Sequence, residues 1–76
     1  MKISCMKVGE IGKLIGKLFI VVCRYPEDRS SGFTTIAFDD GHRKDFVWDH
    51  EDPLVEFVGY GRLESKIVIK KENPVL

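Results

Sequence analysis

The sequence contains no long apolar run, and only two cysteines and three prolines in 76 residues. Its longest uninterrupted apolar stretch is the six-residue segment LFIVVC at positions 18–23, far short of the roughly 20 residues needed to span a bilayer. Lys13 and Lys17 interrupt the apolar segment IGKLIGKLFIVVC, and no small-residue cleavage site follows it. We therefore predict a cytoplasmic protein with neither a membrane span nor a secretory leader.

The two cysteines are too few and too far apart to define a disulfide framework or a zinc site. Cys5 and Cys23 are 18 positions apart, which fits no common spacing of zinc ligands, and both stand beside apolar residues. We therefore predict buried free thiols in a reducing compartment.

Catalytic and nucleotide-binding motifs are also lacking. No serine lies in a GxSxG sequence, and the glycine-rich segment GEIGKLIGK lacks the GxxxxGK[ST] pattern of a phosphate-binding loop. The two histidines, His42 and His50, are eight positions apart, whereas zinc-binding helices place two histidines four apart. We predict a non-enzymatic protein without cofactor or metal, and keep a metal-dependent enzyme using His42 and His50 as the weakest alternative.

Length and composition fit one small folded domain. Apolar residues make up 43% of the chain and charged residues 32%, which is typical of a globular protein and too apolar for a disordered one. We assign residues 1–72 to a single β domain and residues 73–76 to a C-terminal tail.

The segment VGEIGKLIGKL, residues 8–18, is compatible with a helix or a hairpin. Its apolar residues fall at helical spacing, but Gly9, Gly12 and Gly16 would each cost a helix interior about 0.8–1 kcal/mol. A hairpin with Gly16-Lys17 in a type II′ turn is the interpretation we favour. The following run, residues 18–24, is β-branched and continuous, which is typical of a central strand buried on both faces.

FTTIAF and HRKDFVW, on either side of Asp39-Asp40-Gly41, predict a second hairpin. A three-residue loop with Gly41 in the left-handed conformation pairs Phe38 with His42. That register places Arg43 and Asp45 on the face opposite the apolar residues. A two-residue Asp40-Gly41 turn would instead set both charges opposite apolar side chains. The predicted apolar face consists of Ile36, Phe38, Phe46 and Trp48.

The remaining segments complete the predicted fold. Residues 53–58 fit a short helical turn or an extended segment, and RLESKIVIK, residues 62–70, alternates like a half-exposed closing strand. We predict a mainly β fold, with α+β as the alternative. Its form would be a small five-stranded antiparallel roll or partly open SH3-like or OB-like barrel, with at most one short helical turn near residues 53–58.

Charge is divided along the chain although the formal net charge is zero. Residues 1–24 carry a net charge of +4, whereas residues 39–56 carry seven acidic residues against Arg43 and Lys44, a net charge of −5. Acidic residues beside Trp48 indicate a docking surface, because tryptophan is a frequent hot spot and acids speed association with a basic partner. The alternative is that Trp48 belongs to the core, which is the more frequent place for such a residue. The predicted partner-binding residues are Asp39, Asp40, Trp48, Asp49, Glu51 and Asp52.

The basic segment 60–71 indicates an alternative function. Positive side chains along a strand could follow a phosphate backbone while an aromatic ring stacks on a base. This alternative is a small barrel that binds single-stranded nucleic acid through Tyr60, Arg62, Lys66 and Lys70. Lysines on an edge strand also prevent aggregation without any ligand.

These observations predict a binding module that regulates or inhibits a larger protein with a basic surface, docking through residues 39–56. A homodimer that buries an exposed strand edge is a further form of assembly for so small a domain. No membrane partner is expected.

Overall fold

The computed structural model describes residues 1–26 and 31–72, with the backbone alone for residues 71 and 72. These residues form one open sheet of six antiparallel strands in the order β4-β3-β2-β1-β5-β6. A turn of 3-10 helix, Ile3–Cys5, precedes the sheet. The strands are β1 (Glu10–Leu14), β2 (Lys17–Tyr25), β3 (Phe33–Phe38), β4 (Arg43–Val47), β5 (Glu56–Leu63) and β6 (Ile67–Glu72). The predicted mainly β class is confirmed, and the predicted tail, residues 73–76, lies outside the described residues.

The sheet has one strand more than the five that we expected, because the segment before the closing strand is extended. No helical turn forms at residues 53–58, where the N-terminus of the chain pairs with the backbone instead. Ile3 donates its N–H to the Pro53 carbonyl at 3.0 Å, and Val55 donates to the Met1 carbonyl at 2.7 Å. These bonds satisfy the backbone without a helix, and β5 follows directly.

The predicted closing strand, residues 62–70, is wrong as a single element. The chain turns at residues 64–66, so that Leu63 at the end of β5 pairs with Ile67 at the start of β6. Alternating apolar residues could not reveal this turn, because paired residues of a hairpin with a three-residue loop lie on the same face, as alternate residues of one strand do.

β1 and β2 form the hairpin that we favoured over a helix, but the turn lies one position earlier than predicted. Leu14 pairs with Lys17, so the turn residues are Ile15 and Gly16, with φ of 51° and 74°. Two positive φ values are the pattern of a type I′ turn, whose twist matches that of the strands. Gly12 lies in β1 under the Phe19 ring, where a Cβ would approach the ring to 2.7 Å. Two of the three glycines that argued against a helix, Gly16 and Gly12, therefore serve a turn and a close packing contact.

The β3–β4 hairpin has the predicted register. Phe38 donates its N–H to the His42 carbonyl at 2.7 Å, and Gly41, with φ of 87°, donates to the Phe38 carbonyl at 2.9 Å. Ile36, Phe38, Phe46 and Trp48 belong to one apolar cluster, as expected. On the other face the Thr35 hydroxyl donates to Asp45 at 2.6 Å.

Two apolar clusters use opposite faces of the central strand β2. Phe19 and Val21 belong to the first cluster and Ile20 to the second, because successive strand residues point to opposite faces. The prediction of a central strand buried on both faces is confirmed for this part of β2. The buried members of the first cluster are Ile3, Met6, Phe19, Val21, Ile36, Phe46 and Val55. Those of the second are Ile11, Ile20, Ala37 and Ile67.

Both cysteines are free thiols, but the prediction that they are buried is wrong. Cys5 is half-buried and Cys23 is exposed. Cys23 pairs with Thr35 where β2 has a bulge, on a part of the sheet that the second cluster does not cover. No helix among the described residues is long and apolar enough to cross a membrane.

Candidate functional site

The predicted acidic docking residues lie at the two ends of edge strand β4. Asp39 and Asp40 stand in the loop before the strand, and Asp49, Glu51 and Asp52 follow it. The five residues of β4 separate the two groups by roughly 17 Å, at about 3.4 Å per residue. The acidic region is therefore two patches, with Arg43 and Lys44 on the strand between them.

At the first patch, both carboxylates accept backbone hydrogen bonds. Asp40 Oδ1 accepts the N–H of His42 at 2.9 Å, which closes the turn, and Asp39 Oδ1 accepts the N–H of Ile67 at 2.7 Å. The second bond joins the β3–β4 loop to the start of β6. Both aspartates are exposed, so each retains carboxylate surface for a partner while its backbone is fixed.

At the second patch, the loop after β4 is held by bonds to its own backbone and to the N-terminal turn. His50 and Glu51 both donate N–H groups to the Val47 carbonyl at 2.9 Å. Asp52 accepts the Ser4 N–H at 3.0 Å and the Ser4 hydroxyl at 2.6 Å. Asp49 accepts the hydroxyl of Ser31. Glu51 is exposed and accepts no hydrogen bond from another described residue.

Trp48 is half-buried and positions this loop. Its ring packs against the first apolar cluster, and its Nε1 donates to the Thr34 hydroxyl at 2.9 Å. The guanidinium carbon of Arg24 lies 5.0 Å from the ring centroid. Arg24 also donates to the Ser4 carbonyl at 2.8 Å through Nη2, so the N-terminal turn and Trp48 share one set of contacts.

The carboxylates of the 39–56 region form no direct ion pair with a cation of the described residues. The ion pair between described residues is Arg62–Glu64, at 2.8 Å, which lies outside this region. Lys44 lies 4.9 Å from the Phe46 ring centroid and pairs with no carboxylate of the described chain. The exposed carboxylates of both patches are therefore free to meet positive charge from outside the domain.

The histidines of the metal hypothesis are kept apart by β4. His42 precedes the strand and His50 follows it. No group of three or more potential metal ligands forms among the described residues 1–26 and 31–72. The set of side chains that this hypothesis required does not come together.

The residues of the nucleic-acid alternative lie on the β5–β6 hairpin. Tyr60 is 45% exposed and stacks edge-on against Phe57 at 5.5 Å. Arg62 is on the same strand two residues later, with its guanidinium bonded to Glu64. Lys66 lies in the turn, and Lys70 lies on β6 at the bulge opposite Tyr60 and Gly61. The pKa of Glu64 is held below its ordinary value, first by the hydrogen bond from Arg62 and then by its charge.

A cleft that the sequence did not predict lies between the β1–β2 and β3–β4 turns. It has a volume of about 460 Å³ and is lined by the apolar residues Leu18 and Phe38 and by polar residues of both turns: Lys17, Asp39, Asp40 and His42. Ile15, directly before the cleft residue Gly16, is 92% exposed. The Ile15-Gly16 sequence between two apolar segments could have indicated an exposed isoleucine here. It does so only when the turn is placed at residues 15 and 16, one position earlier than we predicted.

The chain matches no protein-family model, no curated protein and no solved structure.

Proposed function

We propose that this protein is a non-enzymatic binding module that docks to a larger protein with a basic surface and regulates or inhibits it. The observation that carries the proposal is the exposed acidic charge at both ends of β4, which forms no direct ion pair with a described cation. A stable protein interface covers about 800 Å² on each partner, which is wide enough to reach the patches on either side of the exposed Arg43 and Lys44.

The hydrogen bonds of the two patches support docking because they fix the acids before a partner arrives. Asp52 and Trp48 act as positioning residues, since both are committed to contacts with Ser4 and Thr34. Asp39, Asp40, Asp49 and Glu51 present the charge. A preorganised surface loses less conformational entropy on binding, and its charge accelerates association with a basic partner.

Affinity capture from a cell lysate, with and without nuclease and with elution by rising salt, tests the proposal. We expect a discrete basic protein that survives nuclease treatment and dissociates as salt rises. Glu51→Lys reverses the acid that has no internal bond, and we expect capture of that protein to fall at least about tenfold. Equal capture by the wild-type protein and Glu51→Lys would contradict docking through the second patch.

Two further variants separate docking from stability. Glu64→Lys is the matched control, because it makes the same change of charge at an exposed residue of the distant β5–β6 hairpin. Asp52→Ala should instead lower the free energy of unfolding by about 1–3 kcal/mol, because it leaves the nearly buried Ser4 without its acceptor. Glu51→Lys should leave the melting temperature close to the wild-type value.

The same capture tests the second candidate, binding of single-stranded nucleic acid by the β5–β6 hairpin. The exposed ring of Tyr60 beside Arg62 favours this candidate. It requires nucleic acid in the eluate, loss of the signal after nuclease, and loss of binding in Arg62→Glu and Lys66→Glu.

A further inference from the structure

Ile15 combines two unfavourable properties at one position. It has a φ of 51°, in the left-handed region that β-branched residues rarely adopt, and its side chain is 92% exposed. Asparagine is the favoured residue before glycine in this turn type. An isoleucine there strains the backbone and buries nothing in the isolated domain. Strain of this kind occurs where a side chain serves a function beyond folding.

The cleft beside Ile15 has apolar surface on which an exposed aliphatic side chain could be buried. Leu18 and Phe38 supply apolar surface, and the cleft volume of about 460 Å³ is large enough for an aliphatic side chain. Ile15 cannot fill this cleft from its own turn, because its side chain is almost fully in solvent. One end of the sheet therefore carries an apolar projection and an apolar recess side by side.

Charges around the cleft are also of both signs. Lys17 belongs to the β1–β2 turn region and Asp39 and Asp40 to the β3–β4 loop, and all three line the cleft. Lys17 forms no ion pair with a described carboxylate. A surface that carries both a group and its complement can pair with a copy of itself about a two-fold axis.

We propose that this end of the sheet is a self-association surface whose occupant is a second copy of the chain. Ile15 of each copy enters the cleft of the other copy between Leu18 and Phe38. Lys17 of each copy meets Asp40 of the other. Because the cleft carries Lys17 together with Asp39 and Asp40, its charge is complementary to that of a second copy. The proposal is independent of docking through the second acidic patch.

Sedimentation equilibrium of the purified protein tests the dimer directly. The wild-type protein should form dimers, and Ile15→Asn should weaken dimerisation at least about tenfold, as expected for loss of a buried anchor. Because asparagine relieves the strain, the Ile15→Asn monomer should also be more stable, with the melting temperature of dilute samples raised by about 4–8 °C. A variant that is more stable yet associates more weakly cannot be explained by damage to the fold.

A charge exchange gives a second test. Lys17→Glu and Asp40→Lys should each dissociate the dimer, since each places like charges opposite one another. When the two variants are mixed, every pair of facing charges becomes attractive, so a mixed dimer should form. Melting curves of each variant check that loss of the Asp40–His42 bond leaves the domain folded.

Three results would overturn the proposal: a wild-type monomer at every accessible concentration, a dimer that Ile15→Asn leaves intact, or no association in the mixture. A dimer that persists in Ile15→Asn could instead form through the edge of β4. In that case Arg43→Pro, which removes a backbone N–H of β4, should abolish the dimer, whereas Arg43→Ala should not. Glu51→Lys should leave the dimer unchanged, so failure of partner docking and failure of this proposal are distinguishable.

Discussion

The β1–β2 and β3–β4 hairpins turn side by side at one end of the sheet, yet their turns are built differently. In the β3–β4 loop, Gly41 takes the left-handed conformation and Asp40 accepts the His42 N–H, so residue type and conformation agree. In the β1–β2 turn, Ile15 takes a left-handed conformation that suits asparagine. A residue type that disagrees with its backbone conformation, as Ile15 does, points to a role other than stabilising the turn.

Among the variants that test the difference between the two hairpins, the largest loss of stability should come from the core beneath the β3–β4 hairpin. Phe46→Ala should lower the free energy of unfolding by about 3–5 kcal/mol, because Phe46 is 1% exposed and a cavity replaces its ring. Denaturant unfolding followed by circular dichroism measures the change. Val47→Ala, at the neighbouring residue that is 45% exposed, is the control and should change it by less than about 1 kcal/mol. Equal losses of stability in Phe46→Ala and Val47→Ala would mean that burial of Phe46 does not stabilise this hairpin.

The two turn glycines should respond alike, although their turns differ. Gly16→Ala and Gly41→Ala should each cost about 1–2 kcal/mol, because alanine must adopt φ of 74° or 87°. Added Cβ atoms would meet nothing within 4 Å at either position, so the cost comes from the backbone alone. Thermal melts of both variants measure it. A neutral Gly41→Ala would show that the loop can abandon the left-handed conformation and that the β3–β4 register does not depend on it.

The sequence predicted the β3–β4 hairpin well because its turn chemistry and its apolar alternation point to the same register. It placed the β1–β2 turn one position late because Gly16 was the visible turn residue and nothing local favours a left-handed Ile15. The turn at residues 64–66 was missed for a different reason: it lacks glycine, asparagine and proline, and a polar Glu-Ser-Lys sequence also fits an exposed strand.

The sequence predicted which acidic residues form the candidate site, but not how they are arranged in space. Seven acids within residues 39–56 are visible in the sequence, whereas the separation of Asp39 and Asp40 from the acids at 49, 51 and 52 follows from the five extended residues of β4. The bond from Ser4 to Asp52 joins residues 48 positions apart, which no local pattern could reveal. The cleft likewise depends on β2 and β3 being neighbours, since residues of both line it.

A smaller effect of opposite sign should come from correcting the β1–β2 turn. Ile15→Asn creates an Asn-Gly pair and should raise the free energy of unfolding of the monomer by about 1 kcal/mol. Ile15→Val retains the β-branch and is the control, with no gain expected. Both are measured by denaturant unfolding at a concentration where the protein is monomeric. If asparagine destabilised the domain, Ile15 would contribute packing that its 92% exposure does not indicate, and the contrast between the two turns would disappear.

The smallest effect on stability is expected at the third turn, between β5 and β6. This turn has no glycine, asparagine or proline, and an exposed ion pair joins Arg62 to Glu64. Arg62 lowers the pKa of Glu64 from its ordinary value of 4.5 by its hydrogen bond and its charge. A lowered pKa in the folded state means that the pair stabilises the fold above the unfolded pKa and that this contribution is lost as pH falls through the folded pKa. Both side chains are largely exposed, so solvent and salt should keep the effect small. Titration of the Glu64 carboxyl by NMR should show its pKa rising in Arg62→Ala, with Lys66→Ala as the control. An unchanged pKa in Arg62→Ala would mean that the turn is held by its backbone pairing alone.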